Sequence, residues 1–230
     1  MTMEKVRLAA ITIGQSPRVD MTGDMIELLS DDIELVEYGA LDGYTYEEAE
    51  SRFSPKDNDD VLVTRMRDGS QIRLAERHVV PLVQDCITRS EKDGVSGIIL
   101  LCTGKFPKFT HEKLLIIPQP IFQSTAEKLA GATRVGVIVP DKAQEEQVAK
   151  WWLMSGVLTE VASGSPYLGM HEVEAAAYGL KGKDISFICL DCMGYTVEMK
   201  RRVAEITGKP VILPRTLVAR LADELYSTSK

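Results

Sequence analysis

Cys102 and Cys192 are the residues of this chain best suited to acid/base or nucleophilic chemistry. Each follows a short apolar run, residues 97–101 and 186–190, and each has a glycine two residues further on. Such runs are typical of buried strands, and a helix starting after a strand can favour the reactive thiolate. A lone cysteine could equally fill a core, since free cysteine is among the most buried residue types. The repeated position in two similar halves favours a functional pair.

The remaining cysteines and histidines limit the alternative chemistries. Cys189 and Cys192 form a Cys-x-x-Cys pair, but residues three apart on a strand point to opposite faces, which disfavours a redox pair. Zinc would need two more ligands, and the sequence has three histidines and no second cysteine pair at ligand spacing. The glycine-rich motifs of nucleotide sites do not match either. We therefore expect no metal and no cofactor, with Cys86 and Cys189 in the core.

A second group of candidate residues follows the first strand-like run, residues 6–13. Residues 14–17 form a tight strand-to-helix turn, and Arg18 stands at the start of the next helix. A guanidinium there could bind a carboxylate through two parallel hydrogen bonds. It could equally form a surface salt bridge with a residue such as Asp20. Arg215, after the last strand-like run, has the same two interpretations.

The elements that position these residues alternate between apolar runs and amphipathic stretches, the pattern of parallel sheets covered by helices. The segment 118–120, Pro-Gln-Pro, marks the predicted domain boundary. We predict a first α/β domain at 1–118, completed by a C-terminal helix at 214–230, and a second at 119–213. The predicted fold is two Rossmann-like parallel-sheet domains, related by a pseudo-two-fold axis, with a cleft between them. Ligands of parallel sheets bind beyond the carboxyl ends of the strands, so one thiol would lie on each wall of that cleft.

Three local signals predict further elements in the first half. Thr45 begins a helix capping box. Asp68-Gly69, between apolar runs within 61–74, indicates a β-hairpin. The next helix should have Pro81 in or before its first turn, because a proline inside a helix costs about 3 kcal/mol.

Composition and charge restrict the class of function. The chain has 230 residues, of which 44% are hydrophobic and 27% charged, enough for one or two packed domains. A net charge of −7 and the absence of a basic stripe argue against a nucleic-acid partner. No apolar run approaches the roughly 18–20 residues of a membrane span, and the first residues do not have the pattern of a signal peptide. We expect a cytoplasmic protein with reduced thiols and no membrane partner.

Three motifs make the sequence resemble a known family. They are Thr12-Ile13-Gly14-Gln15-Ser16-Pro17-Arg18, Leu190-Asp191-Cys192-Met193-Gly194-Tyr195 and Val218-Ala219-Arg220-Leu221-Ala222. The sequence resembles the AroM family, within the aspartate/glutamate racemase-like superfamily, over almost its whole length. At superfamily level, Cys102-Thr103 matches the first cysteine motif and Cys192 matches the second.

This resemblance implies a cofactor-independent reaction on a small-molecule carboxylate, and a homodimer. One cysteine thiolate removes the proton α to the carboxylate, and the other thiol returns a proton on the opposite face. The implied catalytic residues are Cys102 and Cys192. The residues expected to bind the substrate are Gly14, Gln15, Ser16, Arg18, Thr103, Gly104, Asp191, Met193, Gly194, Tyr195 and Thr196.

Two departures from the racemase pattern leave the reaction open. The acidic residue in the first loop of racemases is replaced here by residues 14–16. The histidine that follows the second cysteine motif in many glutamate racemases is missing, with Met193-Gly194 after Cys192. The predicted function is racemisation or isomerisation of a small carboxylate or carbonyl acid. A single-cysteine decarboxylase or lyase, and a non-catalytic small-acid-binding protein, are the alternatives.

Overall fold

The computed structural model describes residues 5–228, which form two compact units. Unit 1 comprises the described residues of Met1–Pro118 and Arg215–Lys230, and unit 2 is Gln119–Pro214. Each unit is built on a four-stranded parallel sheet. No helix within residues 5–228 is both long enough and apolar enough to cross a membrane.

Unit 1 consists of a parallel sheet, a hairpin and covering helices. Along the chain its elements are β1 (Val6–Thr12), α1 (Val19–Ile26), β2 (Ile33–Gly39), α2 (Tyr46–Phe53), β3 (Val61–Arg65), β4 (Gln71–Ala75), α3 (Glu76–Lys92), β5 (Gly97–Leu100) and β6 (Leu114–Ile116). The sheet order is β2-β1-β5-β6, while β3 and β4 pair with each other in antiparallel fashion. Strands β1 and β5 are almost wholly apolar because both of their faces are buried along most of their length.

Unit 2 repeats the sheet of unit 1. Its elements are α4 (Pro118–Ala130), β7 (Val135–Val139), a 3-10 turn (Lys142–Gln144), α5 (Glu145–Met154), β8 (Thr159–Ser163), α6 (Met170–Leu180), β9 (Ile188–Leu190), α7 (Val197–Thr207) and β10 (Val211–Ile212). Its order is β10-β9-β7-β8. Read in reverse, this matches the first sheet: the first strand in the chain lies between the second and the third, and the fourth lies beyond the third. The prediction of two parallel-sheet α/β units is confirmed.

The capping box and the hairpin are confirmed, and the expectation for Pro81 is wrong. Thr45 Oγ1 accepts the Glu48 N–H at 3.2 Å, and Glu48 Oε2 accepts the Thr45 N–H at 3.0 Å. Pro81 lies inside α3, well past its first turn. The helix begins directly after β4 and buries Val79 as well as Val83. Packing of the turn before Pro81 therefore offsets the loss of the backbone hydrogen bond that the proline cannot make.

The last helix, α8 (Pro214–Tyr226), returns to unit 1 and is anchored there by buried polar contacts. Arg215 is fully buried, and its Nη1 donates to Asp24 Oδ2 and to the Asp20 carbonyl, each at 2.8 Å. Asp223 Oδ1 accepts the N–H of Ser30 at 2.8 Å and its hydroxyl at 2.7 Å. Of the two interpretations of Arg215, the structure therefore agrees with the salt bridge. The Arg215 side chain is buried rather than at the surface.

Candidate active site

Cys102 and Cys192 occupy the same position in the two sheets. Each lies two residues beyond the third strand of its sheet in chain order, after β5 in unit 1 and after β9 in unit 2. The Gly104 N–H donates to Cys102 Sγ at 3.3 Å, and the Gly194 N–H donates to Cys192 Sγ at 3.3 Å. The strand, the spacing and the hydrogen bond to sulfur therefore all recur.

The surroundings of the two thiols differ. Cys102 is 9% exposed and belongs to the apolar core of unit 1, together with Leu62 and Phe109. Cys192 is only partly buried and packs against the edge of the core of unit 2. Cys102 is therefore a member of an apolar core, while Cys192 packs against one.

A helix after the cysteine is present in unit 2 but not in unit 1. Thr196 Oγ1 caps α7 by accepting the Met199 N–H at 3.1 Å, a few residues after Cys192. Residues 101–113 contain no helix, so the expectation of a helix N-terminus beside Cys102 is wrong. Pro107 disfavours a helix in this short segment, and Phe106 and Phe109 pack against each other with ring centroids 5.7 Å apart.

Tyr167 contacts the second cysteine and was not identified from the sequence. It lies in the connection between β8 and α6, and its hydroxyl oxygen is 3.6 Å from Cys192 Sγ. A Cβ on Gly194 would lie 2.5 Å from that oxygen and 2.6 Å from Cζ of the ring. Gly194 was the sequence signal for this contact, because a side chain at that position would displace the phenol.

The other predicted side chains around Cys192 hold the loop from within. Asp191 Oδ2 accepts the indole N–H of Trp152 at 3.0 Å. Tyr195 is fully buried and donates its hydroxyl to the Gly164 carbonyl at 2.8 Å, and burial raises its pKa well above the usual value. Met193 is buried as well. The side chains of Met193 and Tyr195 therefore belong to the interior of unit 2.

The side chains of the first loop are directed at neighbouring loops. Gln15 Nε2 donates to the Leu41 and Tyr44 carbonyls, at 3.2 and 2.8 Å, and its Oε1 accepts the Arg67 N–H at 2.8 Å. The Ser16 hydroxyl donates to Asp42 at 2.7 Å. Both side chains therefore tie this loop to the loop after β2 and to the hairpin.

Gly14 lies against the hairpin: a Cβ there would be 2.5 Å from Thr64 Oγ1. Arg18 is 2% exposed and places Nε and Nη2 on the two carboxylate oxygens of Asp20, both at 2.9 Å, with Nη1 3.2 Å from Thr64 Oγ1. Burial raises the pKa of Asp20, but the hydrogen bonds and charge of Arg18 outweigh burial and hold it below its usual value. The bidentate geometry expected of Arg18 is thus directed at Asp20 rather than at a ligand.

Thr103 is a buried residue beside Cys102. It is 7% exposed, and its hydroxyl forms no hydrogen bond with any residue from 5 to 228.

Cys86 and Cys189 are fully buried, as predicted; burial raises the pKa of Cys86 to about 11 and that of Cys189 well above its usual value. The described part of the chain holds no group of three or more His, Cys, Asp or Glu placed to bind a metal ion.

Comparison with known proteins gives the family. The family model described as AroM protein matches residues 8–226. The chain belongs to the AroM family. This confirms the resemblance noted in the sequence. No curated protein matches the sequence significantly.

Solved structures share the fold of this AroM-family chain. Picrophilus torridus aspartate racemase superposes with a TM-score of 0.62 at 13% identity, over 96% of this chain and 94% of that one. The maleate isomerase Iso from Pseudomonas putida S16 gives 0.60 at 14% identity, over 96% and 93%. An arylmalonate decarboxylase gives 0.58 at 13% identity, over 97% and 93%. At these identities the likeness shows the racemase-like fold.

Proposed function

We propose that this AroM-family chain is a cofactor-independent racemase or isomerase that acts α to a carboxylate or carbonyl of a small acid. Cys102 and Cys192 are its paired acid and base, acting on opposite faces of the substrate's α-carbon. The observation that carries this proposal is the repeated cysteine position, with its N–H donor, in two sheets of the same strand order. Two independent cores have little reason to repeat such a thiol.

The chemistry requires a thiolate near neutral pH and donors for an enolate-like intermediate. A backbone N–H directed at each sulfur favours the charged form. For the substrate oxygens we propose the Thr103 hydroxyl, the Thr196 hydroxyl and backbone groups of residues 102–104 and 192–196. Arg18, Gln15 and Ser16 would act indirectly, by fixing the first loop.

The names of the structural neighbours support a small acid as the substrate. They are an aspartate racemase, a maleate isomerase and an arylmalonate decarboxylase, and the substrates in these names are carboxylic acids. We further propose a cytoplasmic homodimer, whose mass can be measured by light scattering on the purified chain.

A single-cysteine decarboxylase or lyase is the second candidate. The different neighbours of the two thiols favour it, apolar side chains at Cys102 and the Tyr167 hydroxyl at Cys192, because one thiol could carry the proton transfer alone. This candidate predicts that serine at one cysteine abolishes turnover while serine at the other is tolerated.

The test is exchange of the α-proton in D2O, followed by NMR. Amino acids, hydantoins and substituted dicarboxylates are incubated with the wild type, Cys102→Ser and Cys192→Ser. Cys86→Ser is the matched control, because it removes a fully buried thiol of unit 1 that has no proposed role. Exchange or inversion that needs both candidate thiols supports the proposal. Loss at one thiol alone supports the decarboxylase or lyase, and binding without exchange on any substrate supports a binding protein.

A further inference from the structure

We propose that Tyr167 is a positioning residue that keeps Cys192 in the thiolate form, so that Cys192 is the base and Cys102 the acid in the first half of the reaction. The inference rests on the proposed function and assigns its two proton transfers to individual residues. It uses the contact between Tyr167 and Cys192, and the apolar core to which Cys102 belongs.

The phenol of Tyr167 can donate a hydrogen bond to the sulfur of Cys192 when that sulfur is charged. Its oxygen lies 3.6 Å from Cys192 Sγ, within range for a bond to sulfur, and the Gly194 N–H reaches the same atom at 3.3 Å. A thiolate can only accept hydrogen bonds, and an ordinary tyrosine holds its proton to about pH 10, above an ordinary thiol at about 8.5. The proton of the pair therefore stays on oxygen, and two donors stabilise the charge on sulfur. The neighbouring Asp191 carboxylate opposes this charge but accepts the Trp152 indole N–H at 3.0 Å, and burial keeps the nearby Tyr195 neutral.

The surrounding loop fixes Tyr167 in this position. Its backbone N–H donates to Ser165 Oγ at 3.1 Å, and its ring lies against the Cα of Gly194. Tyr195 anchors the start of the same loop through the Gly164 carbonyl. Hydrogen bonds within the Tyr167 loop, and between that loop and Tyr195, thus hold the phenol against the cysteine loop.

Cys102 has the environment of a neutral thiol. It is nearly buried within an apolar core that includes Leu62 and Phe109. Burial among apolar side chains penalises the charged form of a thiol, and at Cys102 this opposes the effect of the Gly104 N–H. The free protein therefore carries its charge on Cys192 and its proton on Cys102.

This assignment defines the proton transfers. The Cys192 thiolate takes the α-proton: the carbon–hydrogen bond breaks, its electron pair passes into the enolate, and an S–H bond forms. The Cys102 thiol then gives its proton to the other face of the carbon, which forms the new carbon–hydrogen bond and leaves a Cys102 thiolate. Proton exchange with water restores the resting state, and no oxidant or reductant is required.

The test is alkylation of the full chain by iodoacetamide over a range of pH, with each cysteine quantified by mass spectrometry. In Tyr167→Phe we expect Cys192 to react about tenfold more slowly at neutral pH, equivalent to about 1.4 kcal/mol, with its pH midpoint moved upward and the Cys102 rate unchanged. Tyr178→Phe is the matched control, because that tyrosine is exposed on α6, and both cysteine rates should stay as in the wild type. An unchanged Cys192 profile in Tyr167→Phe would overturn the inference.

A second measurement does not depend on how Tyr167→Phe folds. The ultraviolet absorbance of the thiolate at neutral pH should persist in Cys102→Ser and disappear in Cys192→Ser, and the opposite result overturns the inference. Neither measurement uses a substrate, so failure of the proposed function leaves these outcomes decisive. With an active substrate, Tyr167→Phe should lower turnover at neutral pH and recover it at higher pH, whereas a purely structural role would lower it at every pH.

Discussion

Replacing Gly194 by alanine tests the packing that places Tyr167 on Cys192. The backbone of Gly194 lies outside the left-handed region, so alanine is allowed there and the added Cβ acts through space alone. That Cβ would lie 2.5 Å from the Tyr167 oxygen, and the ring must move by about 0.9 Å to reach an ordinary contact. Overpacking of this kind costs about 1–3 kcal/mol, and alanine returns about 0.4–1 through the unfolded chain. We expect a net loss of about 1–2 kcal/mol.

Urea unfolding followed by tryptophan fluorescence measures this loss for unit 2, the unit that contains Gly194. Both tryptophans, Trp151 and Trp152, are in α5 of unit 2. Gly179→Ala is the matched control: it is also a glycine of unit 2, and its added Cβ would have no atom within 4 Å. Within α6 that change should stabilise unit 2 by about 0.5–1 kcal/mol.

The Tyr167→Ala background shows whether the ring causes the loss. Without the ring, Gly194→Ala should stabilise unit 2 by about 0.4–1 kcal/mol, which gives a coupling energy of about 1–3 kcal/mol between the two positions. Tyr167→Phe should not relieve the clash, because Cζ remains 2.6 Å from the new Cβ. Equal losses from Gly194→Ala with and without the ring would refute this reasoning.

Three further predictions concern thiol reactivity, acid stability and helix capping. Cys86 and Cys189 should resist alkylation in the native protein and react only on unfolding, as read by mass spectrometry, since burial raises the pKa of both. Hydrogen bonds from Arg77 hold the pKa of Asp59 at about 2, so its contribution to stability is present above about pH 4 and is lost as the pH falls through 2; Asp59→Asn should flatten that part of the acid unfolding curve. Thr45→Ala removes the cap of α2 and should cost about 1 kcal/mol in thermal unfolding followed by circular dichroism.

The sheets and the cysteine positions could be predicted because their signals are local. A parallel strand covered on both faces is a continuous apolar run, and residues at its end follow at a fixed offset. For this reason the runs before Cys102 and Cys192 predicted β5 and β9, which the structure contains. The capping box at Thr45 is local in the same way, since both of its hydrogen bonds join residues three apart.

Contacts between loops had no such signal. Tyr167 meets Cys192, and Trp152 meets Asp191, through chain reversals that no periodicity encodes. Arg18 shows the limit most clearly, because the sequence allows it to point outward or inward. Its direction depends on Thr64, which belongs to a hairpin far along the chain.

The two glycines after the cysteines show how one topology can serve two different chemical roles. A Cβ on Gly104 would meet Leu62 Cδ2 at 2.5 Å, the mobile end of an aliphatic side chain, whereas the same atom on Gly194 would meet a rigid phenol. An apolar side chain above Cys102 excludes water and favours a neutral thiol, while a hydroxyl above Cys192 favours a charged one. Each thiol occupies the same position in its own sheet, and we propose that the residue packed on the following glycine sets the protonation state of that thiol. A symmetric pair of thiols would need like neighbours at both positions, so the different neighbours are themselves an argument for unequal roles.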